Sequence, residues 1–117
     1  LEVTYKGTDF SQNLNEYMGA VVIPDTIEHL GKKYTVTSIG ENAFRDCQRL
    51  NTVSIPSTVK KIAANAFSNC KALNRVDIPT TLTKIEKEAF SNCSGLLAVQ
   101  LPQSLKVIFE KTFLYYY

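Results

Sequence analysis

A 23-residue repeat constrains the fold of this chain more than any other feature of its sequence. The three cysteines, Cys47, Cys70 and Cys93, lie 23 residues apart. Around them three segments align without a gap: IGENAFRDCQRLNTVSIPSTVKK (39–61), IAANAFSNCKALNRVDIPTTLTK (62–84) and IEKEAFSNCSGLLAVQLPQSLKV (85–107). A fixed period of this length is typical of solenoids, in which a repeat buries its apolar face only by stacking on its neighbours.

Within each unit the spacing of the apolar residues changes from helical to strand-like. Ile62, Ala66 and Cys70 are four residues apart, which predicts about two turns of helix or 3₁₀ helix. The segment 75–78 then alternates polar and apolar residues, which predicts a short strand that Pro79 ends, because proline has no N–H to donate. We therefore expect one parallel strand per unit, at 52–55, 75–78 and 98–101.

Stacking of the units is expected to align equivalent apolar side chains into buried ladders. Burial of one Phe or Leu contributes roughly 1.5–3 kcal/mol before entropy is counted, so the repeated Phe is the expected main anchor of each unit. The predicted ladders are Ile39, Ile62, Ile85, Ile108; Phe44, Phe67, Phe90, Phe113; Leu50, Leu73, Leu96; Val53, Val76, Val99; and Ile55, Ile78, Leu101.

The chain is long enough for one domain and too short for two ordinary ones. Residues 39–117 are predicted to hold the repeats 39–61, 62–84 and 85–107 and a partial repeat, 108–117. Residues 1–38 are predicted to form an N-terminal cap with a partial repeat, because VVIP at 21–24 matches the later SIP, DIP and QLP. The extra segment HLGKKYTVT, which follows this partial repeat, predicts a β-hairpin or an additional strand. Since the chain begins with Leu1 rather than Met, we expect it to be a fragment of a longer protein.

Charge and hydropathy disfavour two classes of partner. Thirteen Lys and Arg residues against eleven Asp and Glu give a net charge of +2, too small for the long-range field that gathers DNA or RNA. The longest aliphatic run, 20–23, falls far short of the ~18–20 apolar residues of a transmembrane helix. We expect no nucleic-acid partner and no transmembrane segment in this chain. Lys61 and Lys84 occupy equivalent positions in adjacent units, and ordinary surface charge is the favoured interpretation of them.

Motifs for catalysis or for metal binding are missing from the sequence. The cysteines form no CxxC pair, and His29, expected in a loop, is the only histidine. Stacked cysteines have nearly parallel Cβ vectors, whereas a disulfide needs vectors that point towards each other. We expect three buried, reduced, metal-free thiols, no cofactor and no catalytic residue.

The unit consensus IGxxAFxxCxxLxxVxIPxxLxx, preceded by KKYTVTSIG, resembles the leucine-rich repeat of BspA-like surface proteins over residues 21–113. What this resemblance implies is a right-handed leucine-rich-repeat solenoid of the α/β type. Its parallel strands would lie on the concave side and short helical or 3₁₀ turns on the convex side. It also implies a secreted or cell-surface protein that adheres to a protein or glycoprotein ligand on host or neighbouring cells. The sequence departs from the consensus at Ala63 and Glu86, which replace the glycine found at Gly40.

Three functions remain open at this point. The leading one is a non-catalytic recognition module, for adhesion or protein–protein interaction. The second is a structural spacer or stalk of a larger surface protein, and the third and weakest is an enzyme with an undetected site. The candidate ligand-binding residues are the outward positions of the predicted strands: Thr52, Ser54, Arg75, Asp77 and Gln100. Arg75 is the strongest single candidate, because its guanidinium offers a fork of donors to a carboxylate or sulfate. The alternative for Arg75 is an internal ion pair with Asp77.

Overall fold

The structure is a computed structural model that describes residues 1–3, 17–96, 99, 101–102 and 107–108. The described residues contain ten short strands and no helix. The strands are β1 (Glu2–Val3), β2 (Gly19–Val22), β3 (Thr26–His29), β4 (Lys32–Thr35), β5 (Ser38–Ile39), β6 (Leu50–Ser54), β7 (Lys61–Ile62), β8 (Arg75–Asp77), β9 (Lys84–Ile85) and β10 (Val107–Ile108).

Successive coils stack through two parallel sheets. The first has the order β1-β5-β7-β9-β10, and the second has the order β2-β6-β8. In the first sheet Ile39, Ile62 and Ile85 pair in register, so the 23-residue period of the sequence is also the register of the sheet. The predicted parallel strands at 52–55 and 75–78 are confirmed as β6 and β8. Of the third predicted strand, 98–101, residues 98 and 100 lie outside the described residues, and Val99 and Leu101 belong to no strand.

The first sheet was not predicted, because its two-residue strands are too short to show alternation. The isoleucines that begin each unit were assigned to a helical face and lie instead in β5, β7 and β9. The right-handed sense of the superhelix and the concave position of the strands stay predictions.

The helical segments predicted for each unit are wrong, because each is a run of turns: 41–46, 64–69 and 87–92. In the middle unit Asn65 and Asn69 have φ angles of 57° and 63°, and left-handed residues four apart interrupt any right-handed helix. The backbone instead bonds to the next coil, where the N–H of Phe67 donates to the carbonyl of Ala89 (2.8 Å) and that of Asn69 to Ser91 (2.8 Å). The four-residue spacing of the apolar side chains therefore reflects successive turns rather than a helix.

The phenylalanine ladder forms the centre of the core. The Phe44 and Phe67 rings stack with centroids 5.1 Å apart and planes 2° from parallel, and Phe67 and Phe90 stack at 5.2 Å and 3°. All three side chains are at most 1% exposed. Tyr17 packs against Phe44 from the N-terminal side, with centroids 4.9 Å apart and planes at 55°. Phe113, the predicted fourth member, lies outside the described residues.

The predicted ladder of Ile55, Ile78 and Leu101 is buried only at its beginning. Ile55 is buried, Ile78 is half-buried, and Leu101 is 37% exposed, so the prediction of a buried Leu101 is wrong. A ladder residue is fully buried only when a coil covers it on each side.

A polar ladder runs alongside the rings. The Asn69 Nδ2 donates to Asp46 Oδ1 at 2.8 Å, and the Asn92 Nδ2 donates to Asn69 Oδ1 at 2.7 Å. These residues also have positive φ, a conformation that Asn and Asp tolerate better than other non-glycine residues. The same three residues thus serve both the turns and the bonds between coils.

An antiparallel hairpin, β3–β4, lies between the partial first repeat and the first full unit. Its two-residue turn, Leu30–Gly31, has φ angles of 51° and 77°, as in the type I′ turns that match the twist of a hairpin. At its base Val36 is buried, and its N–H donates to the carbonyl of Asp25 at 2.8 Å. His29 is the exposed last residue of β3 rather than a loop residue.

We predict that Phe67→Ala lowers the free energy of unfolding by about 3–5 kcal/mol, because the ring is held between two others and neither neighbouring coil can collapse into the cavity. Urea unfolding followed by circular dichroism measures the loss. Tyr34→Ala is the matched control, since Tyr34 is 39% exposed on the hairpin and its cross-strand contact contributes about 0.2–1 kcal/mol. Equal losses in the two variants would show that Phe67 is not a core residue.

We also predict that Asn69→Asp lowers the free energy of unfolding by about 1–3 kcal/mol at pH 7, because a carboxylate would replace the amide donor 2.8 Å from Asp46. The loss should shrink as the pH falls below about 4, where protonation restores a donor. Asn74→Asp, at an exposed position, should change stability by less than about 0.5 kcal/mol. A loss in Asn69→Asp that is independent of pH would contradict the hydrogen bond to Asp46.

Candidate functional site

The second sheet presents a grid of outward side chains in two rows. Pairing aligns Ala20 with Thr52 and Arg75 in one row, and Val22 with Ser54 and Asp77 in the other. Between these rows the middle position of each strand points inward, and Val53 and Val76 are buried there. The outward rows follow from strand alternation, with side chains of adjacent strands about 4.8 Å apart.

Four of the five predicted site residues come together on this face. Thr52 and Ser54 lie on β6, Arg75 and Asp77 lie on β8, and the fifth, Gln100, lies outside the described residues.

Ala20 and Val22, which complete the grid on β2, are not among the residues predicted from the sequence. The alignment of VVIP at 21–24 with VSIP at 53–56 places Val22 beside Ser54, so the signal was in the sequence. A register shift separates Gly19, which pairs with Leu50, from Ala20, which pairs with Thr52.

The outward side chains line a shallow depression of about 180 Å³. Its lining consists of Ala20, Val21, Val22, Thr52, Val53, Ser54, Arg75 and Asp77. The chemistry changes from strand to strand: β2 contributes aliphatic groups, β6 hydroxyls and β8 an ion pair. Val22 is 75% exposed, which leaves an apolar group available to a ligand at the β2 side. Across the width of these three strands, the surface offers a ligand apolar contacts, hydrogen bonds to hydroxyl groups and charged groups.

Arg75 and Asp77 form the internal ion pair that the sequence left as an alternative. Arg75 Nε lies 2.9 Å from Asp77 Oδ1, and the two side chains are 70% and 51% exposed. A pair this exposed contributes about 0–1 kcal/mol to stability, so a ligand can compete with it at little cost. The guanidinium has five N–H donors, of which this bond uses the one on Nε. The pair therefore orients Arg75 and leaves the other N–H donors of its guanidinium available to a ligand.

The lysines of the first sheet share an acidic neighbour. Lys61 pairs in register with Lys84, and their Nζ atoms lie 3.7 Å and 3.8 Å from the two carboxylate oxygens of Glu86. This arrangement is ordinary surface charge, as expected from the sequence.

The thiols are inside the stack and face backbone carbonyls. Cys70 Sγ donates to the carbonyl of Phe44 and Cys93 Sγ to that of Phe67, both at 3.0 Å. Burial raises the pKa of the Cys93 thiol to about 12. Burial, together with charge repulsion from Cys93 and Cys47, raises the pKa of the Cys70 thiol well above its usual range. The two thiols are therefore protonated at neutral pH.

The described residues hold no group of three or more His, Cys, Asp or Glu side chains arranged to bind a metal ion. They also include no helix of the length and hydropathy needed to cross a membrane.

Comparison with known proteins places these features in a family. Residues 20–116 match the family model described as "BspA type Leucine rich repeat region (6 copies)". The sequence matches no curated protein significantly.

Solved bacterial structures share the fold of this chain. A leucine-rich repeat protein from Bacteroides ovatus is 37% identical over 83% of this chain, with a TM-score of 0.80. One from Bacteroides capillosus is 30% identical, with a TM-score of 0.76, and the match covers 83% of this chain and 70% of that one. A leucine rich cell surface protein from Faecalibacterium prausnitzii is 27% identical, with a TM-score of 0.69 over 82% of this chain. The chain spans only 25% of the Bacteroides ovatus protein and 33% of the Faecalibacterium prausnitzii protein.

We predict that Cys93 makes stability fall at alkaline pH. The folded state keeps the Cys93 proton up to about pH 12, whereas the unfolded chain releases it near pH 9.0. The stabilisation is therefore complete below about pH 9 and is lost as the pH rises towards 12, by up to about 1.4 kcal/mol per pH unit. Urea unfolding between pH 7 and 11 measures the slope, and Cys93→Ala should have a shallower one. Equal slopes, or rapid thiol labelling of the native protein at pH 8, would contradict this.

Proposed function

Because this chain belongs to the family of BspA-type leucine-rich repeat regions, we propose that it is a non-catalytic recognition module for a protein or glycoprotein ligand at the surface of a cell. The proposed site is the outward face of β2-β6-β8, with Thr52, Ser54, Arg75 and Asp77 as its polar contacts. Gln100 is kept as a candidate contact because it is the corresponding position of the next unit.

The observation that carries this proposal is the depression on the sheet. It brings an exposed Val22, two hydroxyls and an exposed ion pair onto strands that the coil stack holds in register. Small side chains at the centre leave room for a ligand, while groups at the two sides differ in chemistry and can fix its orientation. A preorganised surface of this kind loses little conformational entropy on binding.

A surface location is supported by the family and by the Faecalibacterium prausnitzii relative, a cell surface protein. A non-catalytic role is supported by the matching family model, which describes a repeat region. The buried thiols of Cys70 and Cys93 agree with it, because the most reactive side-chain type in the chain is engaged in packing.

The second candidate function is a spacer within a larger surface protein. It is favoured by one observation: Arg75 and Asp77 satisfy each other, so this face does not require a ligand for its charges. The chain covers a minor part of two of its structural relatives, and a ligand site elsewhere in a longer protein would be compatible with that. Binding by the isolated chain separates the two functions.

We predict that the double variant Arg75→Ala, Asp77→Ala keeps its fold and loses binding by at least about tenfold, as expected for a central interface arginine. Its stability should stay within about 0.5–1 kcal/mol of wild type, because the pair is exposed. Binding is measured on immobilised extracellular-matrix proteins and mucin glycoproteins.

The matched control is the double variant Lys61→Ala, Glu86→Ala, which removes an ion pair from the other sheet and should bind as wild type does. Retained binding by the folded Arg75/Asp77 variant would move the site off this face. A wild-type chain that binds none of these proteins would favour the spacer.

A further inference from the structure

The β3–β4 hairpin is a second exposed surface, apart from the β2-β6-β8 face. Its base is fixed in the core by Ile23 and Val36, which are 4% and 1% exposed. Its arms reach solvent, because every residue of β4 is exposed and so are the last three residues of β3. Ile27 and Tyr34 oppose each other across the strands, each 39% exposed, and Leu30 at the turn is 91% exposed. The hairpin is therefore an anchored arm with apolar groups along it and at its tip.

Leu30 is the wrong residue for the turn that it occupies. Seven non-glycine residues among those described have positive φ; six of them are Asn, Asp or Glu, and the seventh is Leu30, at 51°. The first position of a type I′ turn favours Asn, which tolerates this conformation, whereas leucine is strained in it. Leucine here is also almost fully in water, so it gains little from burial within the chain. A residue that is unfavourable for its backbone conformation, at an exposed position where no contact compensates for it, is typical of functional sites.

Two lysines and one glutamate flank Leu30 in the two strands of the hairpin. Lys32 lies opposite His29 across the hairpin, and Lys33 lies opposite Glu28, the one acidic residue of the two strands. Lys32 is thus a cation that no carboxylate opposes within the hairpin. An apolar tip with cations directly behind it complements an apolar pocket that has carboxylates on its rim.

We propose that the hairpin is a docking arm for an acidic protein partner, in which Leu30 enters an apolar pocket while Lys32 and Lys33 bind carboxylates around it. A membrane fits less well, because one leucine and two lysines fall short of the two anchoring signals that stable membrane attachment needs. A second copy of this chain fits less well too, because its depression carries one carboxylate, Asp77, beside the guanidinium of Arg75, which would repel Lys32 and Lys33. This proposal uses a different surface from the proposed function and does not depend on it.

The test is a random dodecapeptide library displayed on phage and selected on the immobilised 117-residue chain. The proposal predicts enriched peptides that combine Asp or Glu with large apolar residues. Leu30→Asn should weaken their binding at least about tenfold while the melting temperature stays equal or rises, because Asn suits the turn. Lys32→Gln, Lys33→Gln should weaken binding and reduce its dependence on salt. The double variant Lys61→Ala, Glu86→Ala, which lies on neither surface, is the control and should bind these peptides as wild type does. The double variant Arg75→Ala, Asp77→Ala tests whether the peptides use the β2-β6-β8 face instead.

Several results would overturn the proposal. The first is a selection that enriches no peptide. The second is enriched peptides that bind the Leu30→Asn variant as tightly as wild type, and the third is peptides whose binding is lost when Arg75 is replaced. Sedimentation velocity and co-sedimentation with phosphatidylserine vesicles test the two other occupants. Self-association or vesicle binding that is lost in Leu30→Asn, without peptide binding, would replace the acidic protein partner with a second copy or a lipid surface.

Discussion

Backbone hydrogen bonds between adjacent coils set the spacing on which the rest of the structure depends. They occur in both sheets and also in the turns, where the N–H of Phe44 reaches the carbonyl of Ala66 and the N–H of Phe67 that of Ala89. Because every coil is held at one strand spacing from the next, equivalent side chains meet at contact distance. The phenylalanine rings then stack face to face, and the asparagine amides bond in series. This spacing explains why the same residue types recur in each repeat, since each side chain packs against the equivalent side chain of the next coil.

The buried cysteines illustrate what this fit demands. A side chain at that position must be small and apolar, and it must face the carbonyl of a phenylalanine in the preceding coil. A thiol meets both demands, because it packs as a small hydrophobe and still donates a weak hydrogen bond. Serine would supply a stronger donor at a greater cost of burial. The regular occurrence of Cys in the repeat therefore has a packing explanation and needs no redox or metal chemistry.

The sequence predicted the features that a long-range period encodes and missed those that depend on local backbone conformation. The 23-residue register predicted the phenylalanine ladder and the parallel strands around Val53 and Val76. The helix prediction failed in the turns, where Ile62, Ala66 and Cys70 have the four-residue spacing of a helical face. Asn65 and Asn69 argued against a helix, because asparagine favours turns with left-handed backbone. Strand alternation assigns a side to each residue, and it put four candidate residues on one face of the sheet, where the structure also has them. The apolar part of the site on β2 and the tip of the hairpin depend on an irregular repeat and a strained leucine, which periodicity does not report.

The direction of the hydrogen bonds between coils determines how such a chain responds to mechanical load. These bonds run along the stack, nearly parallel to the line on which the coils follow one another. A pull along that line loads the bonds of the outermost coil first and peels the stack open one coil at a time, so each opened coil lengthens the chain by the extent of its 23 residues. A pull across the stack loads many bonds together and meets greater resistance. A stack of coils built this way is compliant along its axis and stiff across it.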